Sequence, residues 1–398
     1  SKIGEYTVKY SVTNTLGLTT EVERKIIITT NEDTYISDLD WKSATIGWGT
    51  IRKDCDDNPD SVGGYYLTGS AGKKINTPHT GTGRITGITM YPMTLWETGE
   101  SNGTVSLTKI IEDEDYDFDG VTSEIELEDL FFAVCRGGWP RCMALKKDNS
   151  KLEIAKDYYR QIYQKDISAF DGVNRNPEWA RAILWSYARN MATKAKRTNI
   201  YADVKSTQNT TDVTIASYID VLESLFVLKD IDAWTPQIRS KTAIRSAKKH
   251  IFVDPSIGLA ALGIGPEYFN NDLDLFGHAF ENMVLRDLLV YAEVHNARVM
   301  HYADDMGLEA DAVYQLADGR YALIEIKTGA GKIPEAEKSL LKFKEVIKKY
   351  NTEAQKDSQH PRAVYREPSA LIVICATVPV GYTTENGVKI VPVGCLRD

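Results

Sequence analysis

Four residues of this 398-residue chain have the types and spacing for metal-assisted phosphodiester chemistry: Glu281, Asp311, Glu325 and Lys327. The last three lie in LEADAVYQLADGRYALIEIKTG (308–329), which reads as two strands around a turn. Carboxylates are hard oxygen ligands of the kind Mg2+ takes. A metal held there would polarise a phosphoryl oxygen and activate the attacking water, while Lys327 would orient that water or stabilise charge. Glu281, in the helical stretch FGHAFENMVLRDLL, would supply a further acid. Glu309 is a neighbouring acid on the same strand and competes for the role. The other use of these residues is a partly buried ion network in which Lys327 pairs with Glu325 or Asp311.

Whether the groups meet depends on register. Side chains alternate along a strand, so Tyr321, Leu323, Glu325 and Lys327 share one face. A two-residue turn at Asp318–Gly319 would pair 312 with 325 and send Asp311 to the opposite face. A three-residue turn at 318–320, with Gly319 left-handed or bulged, would pair 313 with 325 and 311 with 327. One step of register reverses the outcome. The three-residue or bulged form is expected.

Two further clusters carry chemistry. RSKTAIRSAKK (239–249) holds Arg239, Lys241, Arg245, Lys248 and Lys249 and no acid, a pattern that fits phosphate contacts with DNA as well as a solvated turn. DYDFDGVTSEIE (115–126) satisfies the calcium-loop pattern, with Asp115, Asp117, Asp119 and Glu126 placed around Gly120. The preceding TVSLTKII reads as a strand, where that motif needs a helix, and Thr122 stands at the usually apolar eighth position. The expectation is a solvated acidic loop in which Ser123 or Thr122 caps the next helix.

Composition bounds the rest. With 42% hydrophobic and 26% charged residues the chain is expected to fold. A formal net charge of -9 excludes a wholly basic nucleic-acid coat but permits local basic patches. There is no run of about 18 apolar residues, so no membrane partner is expected. SKIGEYTVKY lacks the apolar core of a signal peptide. Cys55, Cys135, Cys142, Cys375 and Cys395 form no CxxC pair, which points to reduced thiols and a cytoplasmic body.

Residues 5–30 alternate as a hairpin, with a turn at Asn14–Gly17. YYLTGS (65–70) reads as a buried strand, and GTGRITGITMYPMTLWETGES (81–101) as a glycine-rich loop and a further strand. SEIELEDLFFAVCRGGWP (123–140) reads as a helix stopped by Gly–Gly. Residues 155–265 are mostly helical, followed by the strand-like FVLKDIDAW and HIFVD. GKIPEAEKSLLKFKEVIKKYN (331–351) is an amphipathic helix. ALIVICATV (370–378) is a strand covered on both faces.

LTGS, HTGTGRI, MYPMTLWETGES, CRGGWP, YYRQIYQKDIS, SYIDVLESLFVLKDIDAW, HIFVDPSIGLAALG and FGHAFENMV occur in that order. Together they resemble prokaryotic AAA-type ATP-binding proteins that carry a C-terminal domain of unknown function, over residues 61–398. The resemblance implies ATP in the parent family, with Thr68 and Ser70 of LTGS and Arg84 of HTGTGRI near nucleotide. It also implies a winged-helix module. Asp311 and Glu325-Ile326-Lys327 resemble the PD-(D/E)XK nuclease pattern, in which Glu281, Asp311 and Glu325 would hold Mg2+.

The ATPase is expected to be incapable of hydrolysis on its own. G-x-x-x-x-G-K-[ST] is absent: Lys74 follows Gly72–Lys73, and Ile333 follows Gly331–Lys332. No apolar strand ending in adjacent acids precedes YYLTGS. Upstream, GEYTVKYSVTNTLGLTT resembles the last two strands of bacterial immunoglobulin-like surface domains. TYISDLDWKSATIGWGTIRKD (34–54) resembles the opening of a carbohydrate-binding module. Such fragments are of secreted type and conflict with the cytoplasmic assignment. A misjoined reading frame is expected ahead of a natural fusion, with a missing N-terminal ATPase half as partner.

The expected architecture is α/β and multi-domain. It comprises an immunoglobulin-like hairpin (1–33), a carbohydrate-module-like segment (34–60), the C-terminal part of an AAA domain (61–150), a winged-helix module (151–265) and a nuclease-like domain (266–398). The expected function is a DNA-associated, non-hydrolysing remnant of an AAA-type ATP-binding protein. The alternatives are a Mg2+-dependent nuclease and a secreted carbohydrate-binding protein.

Overall fold

The computed structural model describes residues 4–13, 19–28, 89–236, 247–304, 307–356 and 364–398. The chain divides into two compact units, Ser1–Thr68 and Gly69–Asp398. In the first, β1 (Gly4–Thr13) and β2 (Thr19–Ile28) form the expected antiparallel hairpin, with Gly4 opposite Ile28 and Thr13 opposite Thr19. Thr68, Ser70 and Arg84 lie outside the described residues, as do Arg239, Lys241 and Arg245.

The second unit is mixed α/β. An apolar core that begins at Leu95 and ends at Leu396 runs through all three parts expected over residues 61–398. Among the described residues its strands are β3 (Val105–Ser106), β4 (Leu228–Ile231), β5 (Lys249–Phe252), β6 (Arg298–Ala303), β7 (Glu309–Gln315), β8 (Tyr321–Lys327), β9 (Ala370–Cys375), β10 (Tyr382–Thr383), β11 (Lys389–Pro392) and β12 (Leu396–Arg397). Six of them form a sheet in the order β10-β11-β9-β8-β7-β6. β6, β7 and β8 are an antiparallel meander, whereas β8, β9 and β11 run parallel. Parallel pairing of β8 with β9 needs a long crossover, and the helix Ile333–Lys356 provides it.

The two sheet faces follow strand alternation. Ala312, Tyr314, Ala322, Ile324 and Ile372 join the core that holds the helix Leu273–His295. Val313, Leu323, Leu371 and Val373 pack with Leu340, Phe343 and Ile347 of the crossover helix. Every residue of β9 is buried, as a strand covered on both sides requires.

Ahead of this sheet lie the helices Leu127–Arg136, Asp148–Gln161, Pro177–Arg189, Arg197–Thr207 and Asp212–Ser224. Asn176 and Thr211 cap two of them by accepting from the amides of Glu178 and Thr214. β4 and β5 then pair antiparallel, Leu228 opposite Phe252 and Ile231 opposite Lys249.

Two expectations are corrected. TVSLTKII yields only β3 before the helix Leu107–Glu112, because the Ser106 hydroxyl accepts from the Lys109 amide and starts a helix. Of the stretch 81–101, residues 81–88 lie outside the described residues, and 95–99 form a turn in which Thr94 accepts from the amides of Glu97 and Thr98 through its hydroxyl and carbonyl. Neither Ser123 nor Thr122 caps the next helix. That helix begins after Glu126, whose amide donates to Asp129 Oδ2 at 3.0 Å.

MYPMTLW, CRGGWP, HIFVDPS and FENMVLRDL converge on one buried charge network. Arg286, 2% exposed, donates to Asp254 Oδ2 at 2.8 Å and to Asp287 Oδ1 at 2.7 Å. Asp254 Oδ2 also accepts from the Gly138 amide at 2.9 Å, and Asp287 Oδ2 from the Leu95 amide at 3.1 Å. Gly138 must be glycine, since a Cβ there would lie 2.1 Å from the Met93 carbonyl oxygen.

Removing one partner of such a network leaves an uncompensated buried charge, at about 3–5 kcal/mol. Arg286→Met is therefore expected to lower the urea midpoint by that free-energy equivalent. An unchanged midpoint would show that Asp254 and Asp287 do not depend on it.

Candidate functional site

The β7–β8 hairpin sets the site. Its ladder pairs Ala312 with Ile324 and Gln315 with Tyr321. The Leu316 amide donates to the Arg320 carbonyl at 2.8 Å, leaving 317–319 as a three-residue loop with Gly319 at φ +85°. The expected loop length and left-handed glycine are present, but the loop lies one residue earlier than 318–320. The pairing of 311 with 327 is thereby corrected, and the register now sets Asp311 opposite Glu325. Both registers put Asp311 and Glu325 on a common face, because they differ by two in summed residue number.

The ladder stops one pair short of these residues. On the other side of β7, the register with β6 shifts between Met300 and Tyr302, so Asp311 and Ala312 together oppose His301. This bulge frees the Asp311 backbone from regular pairing. Its carboxylate takes over a main-chain role, with Oδ2 accepting from the Ile326 amide at 2.8 Å. The same oxygen accepts from Lys327 Nζ at 3.1 Å, and Lys327 Nζ also lies 2.6 Å from Glu325 Oε2.

Lys249 enters from β5. It is 5% exposed, and its ammonium donates to Glu281 and, at 3.1 Å, to the Asp311 backbone carbonyl; Asp311 Oδ1 lies 3.8 Å away. The result is an alternating chain: Glu281, Lys249, Asp311, Lys327, Glu325. Three carboxylates against two ammoniums leave one surplus negative charge when all are ionised.

That imbalance falls on the ends. Burial, then repulsion from Asp311, raises the Glu281 carboxyl to about 7. Burial and Asp311 likewise raise Glu325 to about 8. Asp311, at the centre, is also pushed up by burial, but Lys249, Lys327 and the Ile326 amide outweigh this and hold it below its usual range. Burial opposes the charge on Lys327, yet Asp311 and Glu325 raise its pKa.

The other expected residues lie elsewhere. Lys249 is corrected from a phosphate contact to a member of this interior chain, since β5 directs it inward. Lys248 is exposed and pairs with Asp232 at 3.0 Å. Glu309 is paired with Lys194 at the surface. In the acidic loop, Asp119 accepts from Thr383 at 2.9 Å, and Glu126 begins a helix. Among the described residues no three His, Cys, Asp or Glu side chains are arranged to hold a metal ion. The oxygens of Glu281, Asp311 and Glu325 suit Mg2+ by type, but ammonium groups already lie between them, so the arrangement does not fit a resident metal. A cleft of about 430 Å3 lined by Tyr91, Lys229, Asp232, Glu293 and Arg298 includes none of these carboxylates.

Two histidines beside the chain escaped sequence reasoning. His301 is held at Nε2 by the Ala247 carbonyl at 3.0 Å, while its buried Nδ1 has no partner among the described residues. Burial and the Lys249 charge push it down to about 4, so it stays neutral. His278 sits one turn before Glu281 and is likewise lowered by burial.

Residues 127–268 match a family described as a domain of unknown function (DUF8612), and residues 276–396 match another, DUF4143. No curated protein matches the chain. The carboxylate chain spans both matched regions, because Lys249 belongs to the first and its partners to the second.

A carboxyl whose folded pKa exceeds its unfolded value binds more protons when folded, so stability falls as pH rises between the two. Glu281 and Glu325 therefore place a decline between about pH 5 and 8, where Asp311 is ionised in both states. Glu325→Gln is expected to flatten that decline in urea titrations at pH 5, 6.5 and 8. Parallel pH profiles for wild type and variant would contradict these shifts.

Proposed function

We propose that the chain is a DNA-associated, non-hydrolysing remnant of an AAA-type ATP-binding protein whose nuclease-like C-terminal domain does not cleave. The observation that carries this reading is the joint placement of Asp311, Glu325 and Lys327, with Lys249 lying between Asp311 and Glu281. The residue types are those of phosphodiester chemistry, while the cation requirement is met from within the chain.

The helices Pro177–Arg189, Arg197–Thr207 and Asp212–Ser224 followed by the β4–β5 hairpin support a winged-helix layout. In a helix-turn-helix arrangement the helix nearest the wing would face the major groove. Here Asp212–Ser224 carries Asp212, Asp220 and Glu223 and no Lys or Arg. Such a helix repels phosphate and does not read bases. Association is therefore assigned to Arg239, Lys241 and Arg245, and it is independent of DNA sequence. Each phosphate contact contributes roughly -0.9 to the slope of log K against log salt. Three contacts set a shallow slope of about -3.

Anisotropy titrations with duplexes of unrelated sequence are expected to give equal affinities and that salt slope, and a triple Arg239/Lys241/Arg245→Ala variant to lose binding. Supercoiled plasmid with Mg2+ and ATP is expected to remain uncut, with no phosphate released. Mg2+-dependent cleavage that disappears in Asp311→Asn and Glu325→Gln would replace this reading with an active nuclease.

A further inference from the structure

We infer that the Lys249 ammonium is a tethered cation standing where a divalent metal would otherwise be held, so that the carboxylate centre of this domain is independent of metal. The inference rests on the nuclease-like reading of the C-terminal domain and concerns how that site is kept neutral.

An ammonium offers three donors and no acceptor. Around Lys249 Nζ stand three oxygens: Glu281 Oε1, the Asp311 carbonyl at 3.1 Å and Asp311 Oδ1 at 3.8 Å. Two of these atoms come from carboxylates and one from a backbone carbonyl, all hard oxygens of the type that bind Mg2+ or Mn2+. Mg2+ draws its oxygens to about 2.0–2.1 Å and demands near-octahedral geometry. It cannot enter beside a lysine that already uses them, and the two cations repel.

Lys249 is built into this position. Ile231 pairs with it across the β4–β5 hairpin. Three residues on, Phe252 is clamped to the helix that bears Glu281: its amide donates to Asn282 Oδ1 at 2.9 Å, and Asn282 Nδ2 donates to its carbonyl at 2.8 Å. Glu281 and Asn282 are adjacent, so one clamp sets the strand and the acid together. On the other flank His301 is neutral and leaves the charge balance to the lysines. The remaining cation, Lys327, satisfies the other side of Asp311 and Glu325.

The test is Mn2+ binding by the full chain at pH 7.5 without nucleic acid, followed by loss of the free Mn2+ electron paramagnetic resonance signal. Wild type and Lys249→Arg are expected to bind no Mn2+ at this site up to millimolar concentrations. Lys249→Met is expected to gain a site at least tenfold tighter, lost again when Glu281→Gln or Asp311→Asn is added. Mn2+ binding by wild type that disappears in Asp311→Asn would overturn the inference, whether or not Lys249→Met folds. A folded Lys249→Met that binds no better than wild type would overturn it equally. Failure of the DNA-association reading shows separately, as absent binding in metal-free anisotropy titrations.

Discussion

Charge neutrality in a largely desolvated gap is the constraint on which this structure turns. Burying an isolated carboxylate or ammonium costs several kcal/mol even after relaxation, so five such groups persist only if each neutralises its neighbour. Alternation along Glu281, Lys249, Asp311, Lys327 and Glu325 achieves this with one carboxylate in excess. Burial, together with this excess, pushes the end acids toward the protonated form, while the two lysines keep the central one ionised. The gap exists because the β7–β8 ladder ends at Ala312 and Ile324 and the β6–β7 register slips beside it. Without that opening, Asp311 would have no reason to satisfy the Ile326 amide with its side chain.

Distant elements hold the gap open. Arg286 lies five residues beyond Glu281 on the same helix and ties it to Asp254, just after β5, and through Asp287 to the Leu95 amide. The Asn282–Phe252 clamp lies between those two points. The helix, β5 and the Gly137–Gly138 turn thus form one assembly, and the acids and lysines of the site inherit its precision. Four of the eight ordered motifs, MYPMTLWETGES, CRGGWP, HIFVDPSIGLAALG and FGHAFENMV, meet in this packing. The glycine pair of CRGGWP, for example, lets backbone approach Met93 and Asp254 at distances that a side chain would forbid.

Much of this was legible in the residues themselves. Alternation and turn chemistry located β7, β8 and their three-residue loop, since Asp318–Gly319 supplies the left-handed position. The unbroken apolar run of β9 announced burial on both faces. The loop's placement was not legible, because a shift of one residue at each end preserves which side chains share a face. Lys249 was misread for a different reason. In the chain it follows Arg245 and Lys248 and looks like part of a basic run, but strand pairing carries it inside. The available signal was stoichiometric: three acids, one buried and two partly buried, with one lysine leave charge unpaid, and a second cation has to come from somewhere. The short helix Leu107–Glu112 was hidden by β-branched residues, which a Ser106 cap overrides.

The central claim is that a lysine from β5 occupies the cation position of an otherwise metal-type carboxylate centre. The most direct measurement is a crystal structure grown in Mn2+ and recorded at the manganese absorption edge. Continuous side-chain density for Lys249 is expected between Glu281 and the Asp311 carbonyl, with no anomalous peak there. An anomalous peak coordinated by Asp311 and Glu325, with Lys249 turned away, would contradict it.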